Sequence, residues 1–114
     1  MPRVLMGEFD AVVRLGLREI FDRDGSDVTT DETATSNILD RLVETLPDVV
    51  LLDLDNDGID ELARQIACRY PAVKVIACSS AKPAMRIFPP FHHGESYVSD
   101  LSPALLVDAV KNKG

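Results

Sequence analysis

Apolar positions along the chain alternate between two periods, and the alternation predicts the elements. Val4-Leu5-Met6 is a short continuous apolar run that ends at Gly7-Glu8-Phe9-Asp10. Val13, Leu17, Ile20 and Phe21 then fall at helical spacing, with Val12 and Leu15 flanking and Asp10 placed as an N-cap. The chain is expected to turn from Asp24 to Ser26 and to form a short strand at Val28-Thr29-Thr30. Ile38, Leu39, Leu42, Val43 and Leu46 make the next helical stripe, with Thr35 or Ser36 placed to cap it and Pro47 to end it. Val49 to Leu52 is apolar at every position, the pattern of a central parallel strand buried on both faces. Ile59, Leu62, Ala63, Ile66 and Tyr70 return to helical spacing, Pro71 stops that helix, and Val73 to Cys78 reads as another strand. Ser102-Pro103 is a cap followed by a first-turn proline, with Leu105, Leu106, Ala109 and Val110 as the buried helical face. The stretch from Ala81 to Glu95 is less regular. Helical character runs from Pro83 to Phe88, and Pro89-Pro90 must end it or keep it short.

Strands alternating with helices predict an α/β fold, a parallel sheet with helices on both faces. Five strand–helix units are expected, with the fourth helix short or disrupted. At 114 residues the chain is expected to be one domain, residues 1–114, able to bury a core without metal or disulfide staples.

Charge narrows the function. Twelve Lys and Arg against 19 Asp and Glu give a formal net charge of −7. Nucleic acid and anionic lipid both need an excess of basic residues to displace counterions, so neither is an expected partner of this chain. No apolar run approaches the ~20 residues that span a bilayer, and Met1-Pro2-Arg3 leads into structure without a signal-peptide pattern. Cys68 and Cys78 lie among apolar residues and read as buried reduced thiols. A cytoplasmic protein is expected. The ending Lys111-Asn112-Lys113-Gly114 reads as an entry into a linker.

In an open α/β sheet, sites form beyond the carboxyl ends of the strands. Those ends carry Glu8 and Asp10, then Asp53, Asp55 and Asp57, then Ser79 and Ser80, then Ser99 and Asp100, with no lysine at any of them. Hard oxygen donors of this kind suit Mg²⁺. Asp10, Asp55 and Asp57 are also placed to cap helices or turns, whereas Asp53 directly follows four apolar residues at a strand end. No glycine-rich phosphate loop follows the first strand, and no Cys/His or Ser/His/Asp arrangement is readable, so an enzyme is not expected.

The segments RVLMGEFDAVVRLGLREIF, PDVVLLDLDNDGID, VKVIACSS and SYVSDLSPALLVDAV, in that order, resemble a response-regulator receiver domain of two-component signalling over almost the whole chain. The first and last are most similar to receivers that precede a helix-turn-helix DNA-binding domain. The resemblance implies a flavodoxin-like, doubly wound five-stranded parallel sheet. It also implies roles. Asp53 matches the phospho-acceptor, Ser79 the hydroxyl that hydrogen-bonds the phosphoryl group, and Glu8 the first of two Mg²⁺-binding acids, with Asp53 as a further ligand. Three features depart from the family. Phe9 stands where the second acid belongs, and Asn56-Asp57 replaces the usual Met-Pro. The lysine at the end of strand five is missing, with Ser99 at its position in one register and Asp100 in the other.

These departures weaken Mg²⁺ and phosphoryl binding. The leading expectation is an atypical receiver, a regulatory and dimerisation domain of a bacterial transcription regulator that works without ordinary aspartyl phosphorylation. The alternative is a working phospho-acceptor labelled on Asp53 by a histidine kinase. Expected partners are a second copy, a histidine kinase or a small-molecule ligand, with DNA reached only through a separate C-terminal domain. The family's output face, around its fourth helix and fifth strand, points to Ile87, Phe88, Phe91 and Tyr97 as an interaction surface.

Overall fold

In a computed structural model, residues 3–23, 28–79 and 81–112 are described. The expected turn at Asp24 to Ser26, Ser80 and the end of the proposed linker entry lie outside them. The described residues form strands β1 (Arg3–Met6), β2 (Thr29–Glu32), β3 (Val49–Asp53), β4 (Lys74–Cys78), β5 (Ala84–Phe88) and β6 (Tyr97–Asp100). The helices are α1 (Ala11–Arg23), α2 (Ile38–Thr45), α3 (Ile59–Arg69) and α4 (Pro103–Lys111). All strands join one sheet in the order β2-β1-β3-β4-β5-β6. The pairs β1–β2, β1–β3 and β3–β4 are parallel, while β4–β5 and β5–β6 are antiparallel. The result is an α/β fold with a mostly parallel sheet, compatible with a receiver-like architecture.

Strand alternation splits the core into two layers. Val4, Met6, Val49, Leu51, Ile76, Cys78, Met85 and Ile87 face α1 and α4, where they meet Leu17, Phe21, Leu106 and Val110. Leu5, Val50, Leu52, Val75, Ala77 and Phe88 face α2 and α3, against Ile38, Leu42, Ile59, Ala63 and Ile66. Val50, Leu51 and Leu52 are fully buried, as a central strand covered on both faces must be.

The expected short fourth helix is instead strand β5, and the five-stranded parallel sheet becomes six-stranded and mixed. Pro83 and Pro89 leave only Ala84–Phe88 between them, too short for a stable helix. Within that window Met85 and Ile87 alternate with half-exposed Arg86, a strand period, and Met85 and Ile87 fill the α1/α4 layer. The direction follows from length. Residues 79–83 connect β4 to β5, and a parallel crossover needs about a dozen residues or more, so the chain turns back antiparallel.

Other local expectations hold or shift for readable reasons. Ser102 caps α4 by accepting the Leu105 N–H at 3.2 Å, and Pro103 occupies its first turn. On α4, Val107 is buried, whereas Leu105 stays 40% exposed. Thr35 and Ser36 do not cap α2: residues Thr35–Asn37 form a 3-10 turn, and the Thr35 hydroxyl accepts the Glu8 N–H at 3.3 Å instead. Cys78 is buried as expected but Cys68 is exposed, because it lies on the solvent side of α3. Among the described residues no helix is long and apolar enough to cross a membrane.

Among the described residues Lys74 is the one charged residue that is buried, 3% exposed. Burial lowers the pKa of its ammonium group. Its Nζ donates to the carbonyls of Ala109 at 2.6 Å and Asn112 at 3.2 Å, tying β4 to the carboxyl end of α4, where the helix dipole favours a cation. Lys74→Ala is expected to destabilise the protein by about 2–4 kcal/mol in urea titration, through the lost stem packing and the unanchored carbonyls. Lys74→Met keeps most of the stem and is expected to lose less.

Candidate functional site

The site lies where three loops meet, beyond the carboxyl ends of β1, β3 and β4. Asp53 is the last residue of β3 and is half-buried. Its Oδ1 accepts the N–H of Asp55 at 3.0 Å, which folds the chain back on itself after the strand. That turn carries the Asp55 carboxylate toward β4. Asp55 Oδ1 accepts the Ser79 hydroxyl at 2.8 Å, and Oδ2 accepts the Ala81 N–H at 3.1 Å. Ser79 Oγ in turn accepts the Lys82 N–H at 3.2 Å. On the other side, Asn56 Nδ2 donates to the Glu8 carbonyl at 3.2 Å, tying the loop after β3 to the loop after β1. Gly58, at φ 76°, then lets the chain turn sharply into α3.

The residues expected to form one constellation are therefore only partly brought together. Asp53 and Ser79 stand at neighbouring strand ends, but the hydroxyl is bonded to Asp55. Glu8 is exposed, and Phe9 is 6% exposed inside the α1/α4 core layer, where an aromatic ring replaces any second acid. Among the described residues no group of three or more His, Cys, Asp and Glu side chains is arranged to hold a metal ion. Asp55 has its two carboxylate oxygens bonded to Ser79 and Ala81. This donor set lacks the second acid of a receiver-type Mg²⁺ site, whose position holds Phe9.

The lysine position is displaced as well. Ser99 pairs with Met85 and Asp100 with Ala84, both across β5 rather than beside β4. At ~4.8 Å per strand the end of β6 lies roughly 14 Å from β3, where direct pairing with β4 would leave roughly 10 Å. Lys82 is exposed and makes no ion pair among the described residues.

Of the expected interaction face, Ile87 and Phe88 are 2% and 3% exposed and belong to the two core layers. Phe91 and Tyr97, at 68% and 46%, are the members left open to a partner. The loop carrying Phe91 is held against α3: the Phe91 N–H donates to the Pro71 carbonyl at 2.7 Å, and a Cβ on Gly94 would fall 2.7 Å from Cys68 Sγ. His92 Nδ1 lies 2.8 Å from its own loop's Pro90 carbonyl.

Asp55 is the residue that sequence reasoning undervalued, as one member of the acidic cluster or a turn cap and not as the acceptor for Ser79. The available signal was an excess of carboxylates over cations at the strand ends, with a serine at the next strand end to receive one of them.

Cys78 pairs in register with Asp53. Burial, then the charge of Asp53, pushes its thiol up to about 12. In the native protein Cys68 is expected to react promptly with iodoacetamide near pH 8 while Cys78 stays unmodified, and both to react after denaturation, read by intact mass. The raised value also sets a pH window. The Cys78 contribution to stability is full below the ordinary thiol value of 9.0 and is lost as pH rises from there toward 12, and Cys78→Ala is expected to flatten that decline.

No protein-family model matches the chain, and no curated protein matches it in sequence, so the fold and this loop constellation carry the functional reading.

Proposed function

We propose that this chain is an atypical receiver domain, a regulatory and dimerisation domain of a bacterial transcription regulator that works without ordinary aspartyl phosphorylation. One observation carries the reading. The Ser79 hydroxyl and the Ala81 N–H, donors suited to a phosphoryl oxygen on Asp53, are both taken by the Asp55 carboxylate. The pocket thus holds its own anion. A phosphoryl group on Asp53 would have to displace that carboxylate and then sit beside it without a lysine to offset the repulsion. At ~6 Å and an effective dielectric of ~20, each pair of unit charges costs about 3 kcal/mol.

Buried Phe9 and the outward shift of β6 support the same reading, since each removes a cation or a metal ligand that phosphoryl transfer to a carboxylate requires. In this reading Mg²⁺ binds weakly, the output depends on a second copy or a small-molecule ligand, and DNA is contacted by a separate C-terminal domain.

Incubation with acetyl phosphate and Mg²⁺, followed by intact mass, is expected to give no adduct. Ser99→Lys is expected not to restore one, because β5 keeps that position away from Asp53. A single phosphoryl adduct on the parent chain that disappears in Asp53→Asn would overturn the proposal in favour of a working phospho-acceptor that a histidine kinase could label.

The internal anion has its own readout. Asp55→Ala is expected to speed amide exchange at Ala81 by roughly three- to tenfold, the loss of one ordinary hydrogen bond, while leaving Leu51 and Ile76 unchanged.

A further inference from the structure

The insertion of β5 makes β6 the outer strand of the sheet, and among the described residues no strand pairs with its outer edge. The phase of the ladder shows which groups point outward. Leu101 N–H donates to the Pro83 carbonyl at 2.8 Å, and bonded pairs alternate along an antiparallel ladder, so Tyr97 and Ser99 bond to β5. The N–H and C=O of Val98 and Asp100 then point away from the sheet. β6 carries no proline, no lysine and no bulge in its one-to-one register; it is four residues long, and its one charge is Asp100 at the end. Val98 is 61% exposed on the α2/α3 side and Tyr97 46% exposed on the α1/α4 side. The opposite edge differs. β2 carries Asp31 and Glu32, and Glu32 is ion-paired to Arg14 and Arg18 of α1.

We infer that the outer edge of β6 joins a second copy of this chain by antiparallel pairing about a twofold axis at Val98, giving one continuous sheet through both copies. Symmetry restricts the register. A twofold axis normal to the sheet keeps each face continuous, so the axis must pass beside one residue and its own copy. An axis at Val98 lets the outward groups of Val98 bond their own counterparts and sets Ser96 against Asp100 twice, about six backbone hydrogen bonds in all. On the faces it stacks Val98 on Val98 and places Tyr97 beside Ser99, with no like charges opposed. An axis at Ser99 instead sets the Asp100 carboxylate against Val98. Of the registers along β6, the axis at Val98 pairs the most outward backbone groups without opposing like charges.

The inference deepens the homodimer proposed above by naming its surface, and it does not depend on the phosphorylation chemistry. The full chain would be measured by light scattering across a concentration series beside Val98→Lys. A Cys68→Ser, Val98→Cys double variant would be oxidised mildly and run without reductant. The parent is expected to be dimeric. Val98→Lys is expected to dimerise about tenfold or more weakly, because two like charges meet on the axis. Since that substitution reduces the net negative charge, general repulsion between copies cannot account for the loss. The double variant, close to the parent in side-chain size, is expected to form an interchain disulfide, because bonded antiparallel pairs bring Cα atoms to about 5.5 Å. A dimer unchanged in Val98→Lys, with no crosslink in the cysteine variant, would overturn the β6 edge and leave the homodimer standing through another face. A monomeric parent at every concentration would overturn both.

Discussion

The connection between β4 and β5 is the constraint on which the distinctive half of this molecule depends. With only residues 79–83 between the two strands, the chain cannot cross over the sheet and must return beside β4 in the opposite direction. The pairing is well supported energetically. It satisfies the outer backbone groups of β4 and buries Met85 and Ile87 in one layer and Phe88 in the other. Everything outward of β4 follows from it: among the described residues no helix between β4 and β6, a last strand moved one position out, and no strand paired to that strand's outer edge.

The same return shapes the loop cluster. Turning back directly after Ser79 brings the Ala81 and Lys82 N–H groups next to the end of β3. Asp55 then fills the space with a carboxylate that accepts from Ser79 and Ala81, while Asn56 holds the loop after β1. Donors and acceptors in these loops answer one another inside the chain. In the reading proposed above, it is this set of internal bonds that a phosphoryl group on Asp53 would have to displace.

Most of the fold was legible because its signals are local. The unbroken apolar run Val49 to Leu52 marks a strand covered on both sides, and the stripe from Ile59 to Ile66 marks α3, with burial following the pattern in both. The Ser102-Pro103 cap set the start of α4. The segment Ala84–Phe88 was misread because five residues between prolines satisfy a helical and a strand pattern about equally well. What decided it was the unpaired edge of β4, a partner remote in sequence. Cys68 and Leu105 were misjudged for a related reason: a helical stripe identifies a face but not how far neighbouring elements cover it.

At the site, the residues at the strand ends showed that carboxylates outnumber cations there, and the resemblance alone implied that Phe9, and Ser99 or Asp100, stand where a metal ligand and a counter-ion are expected. Which oxygen Ser79 would bond was not available from spacing, since Asp53 and Asp55 are both close along the chain and only the turn after β3 separates their directions. The amino-acid order by itself determined the elements outside the stretch from Ala81 to Glu95, the two-sided burial of the central strands and the excess of acid at their ends, because periodicity and charge are properties of neighbours along the chain. The tertiary structure alone decided that β5 pairs with β4, that Asp55 and not Asp53 receives Ser79, and that β6 ends the sheet. Those outcomes depend on backbone hydrogen bonds and side-chain directions between segments that meet only once the chain is folded.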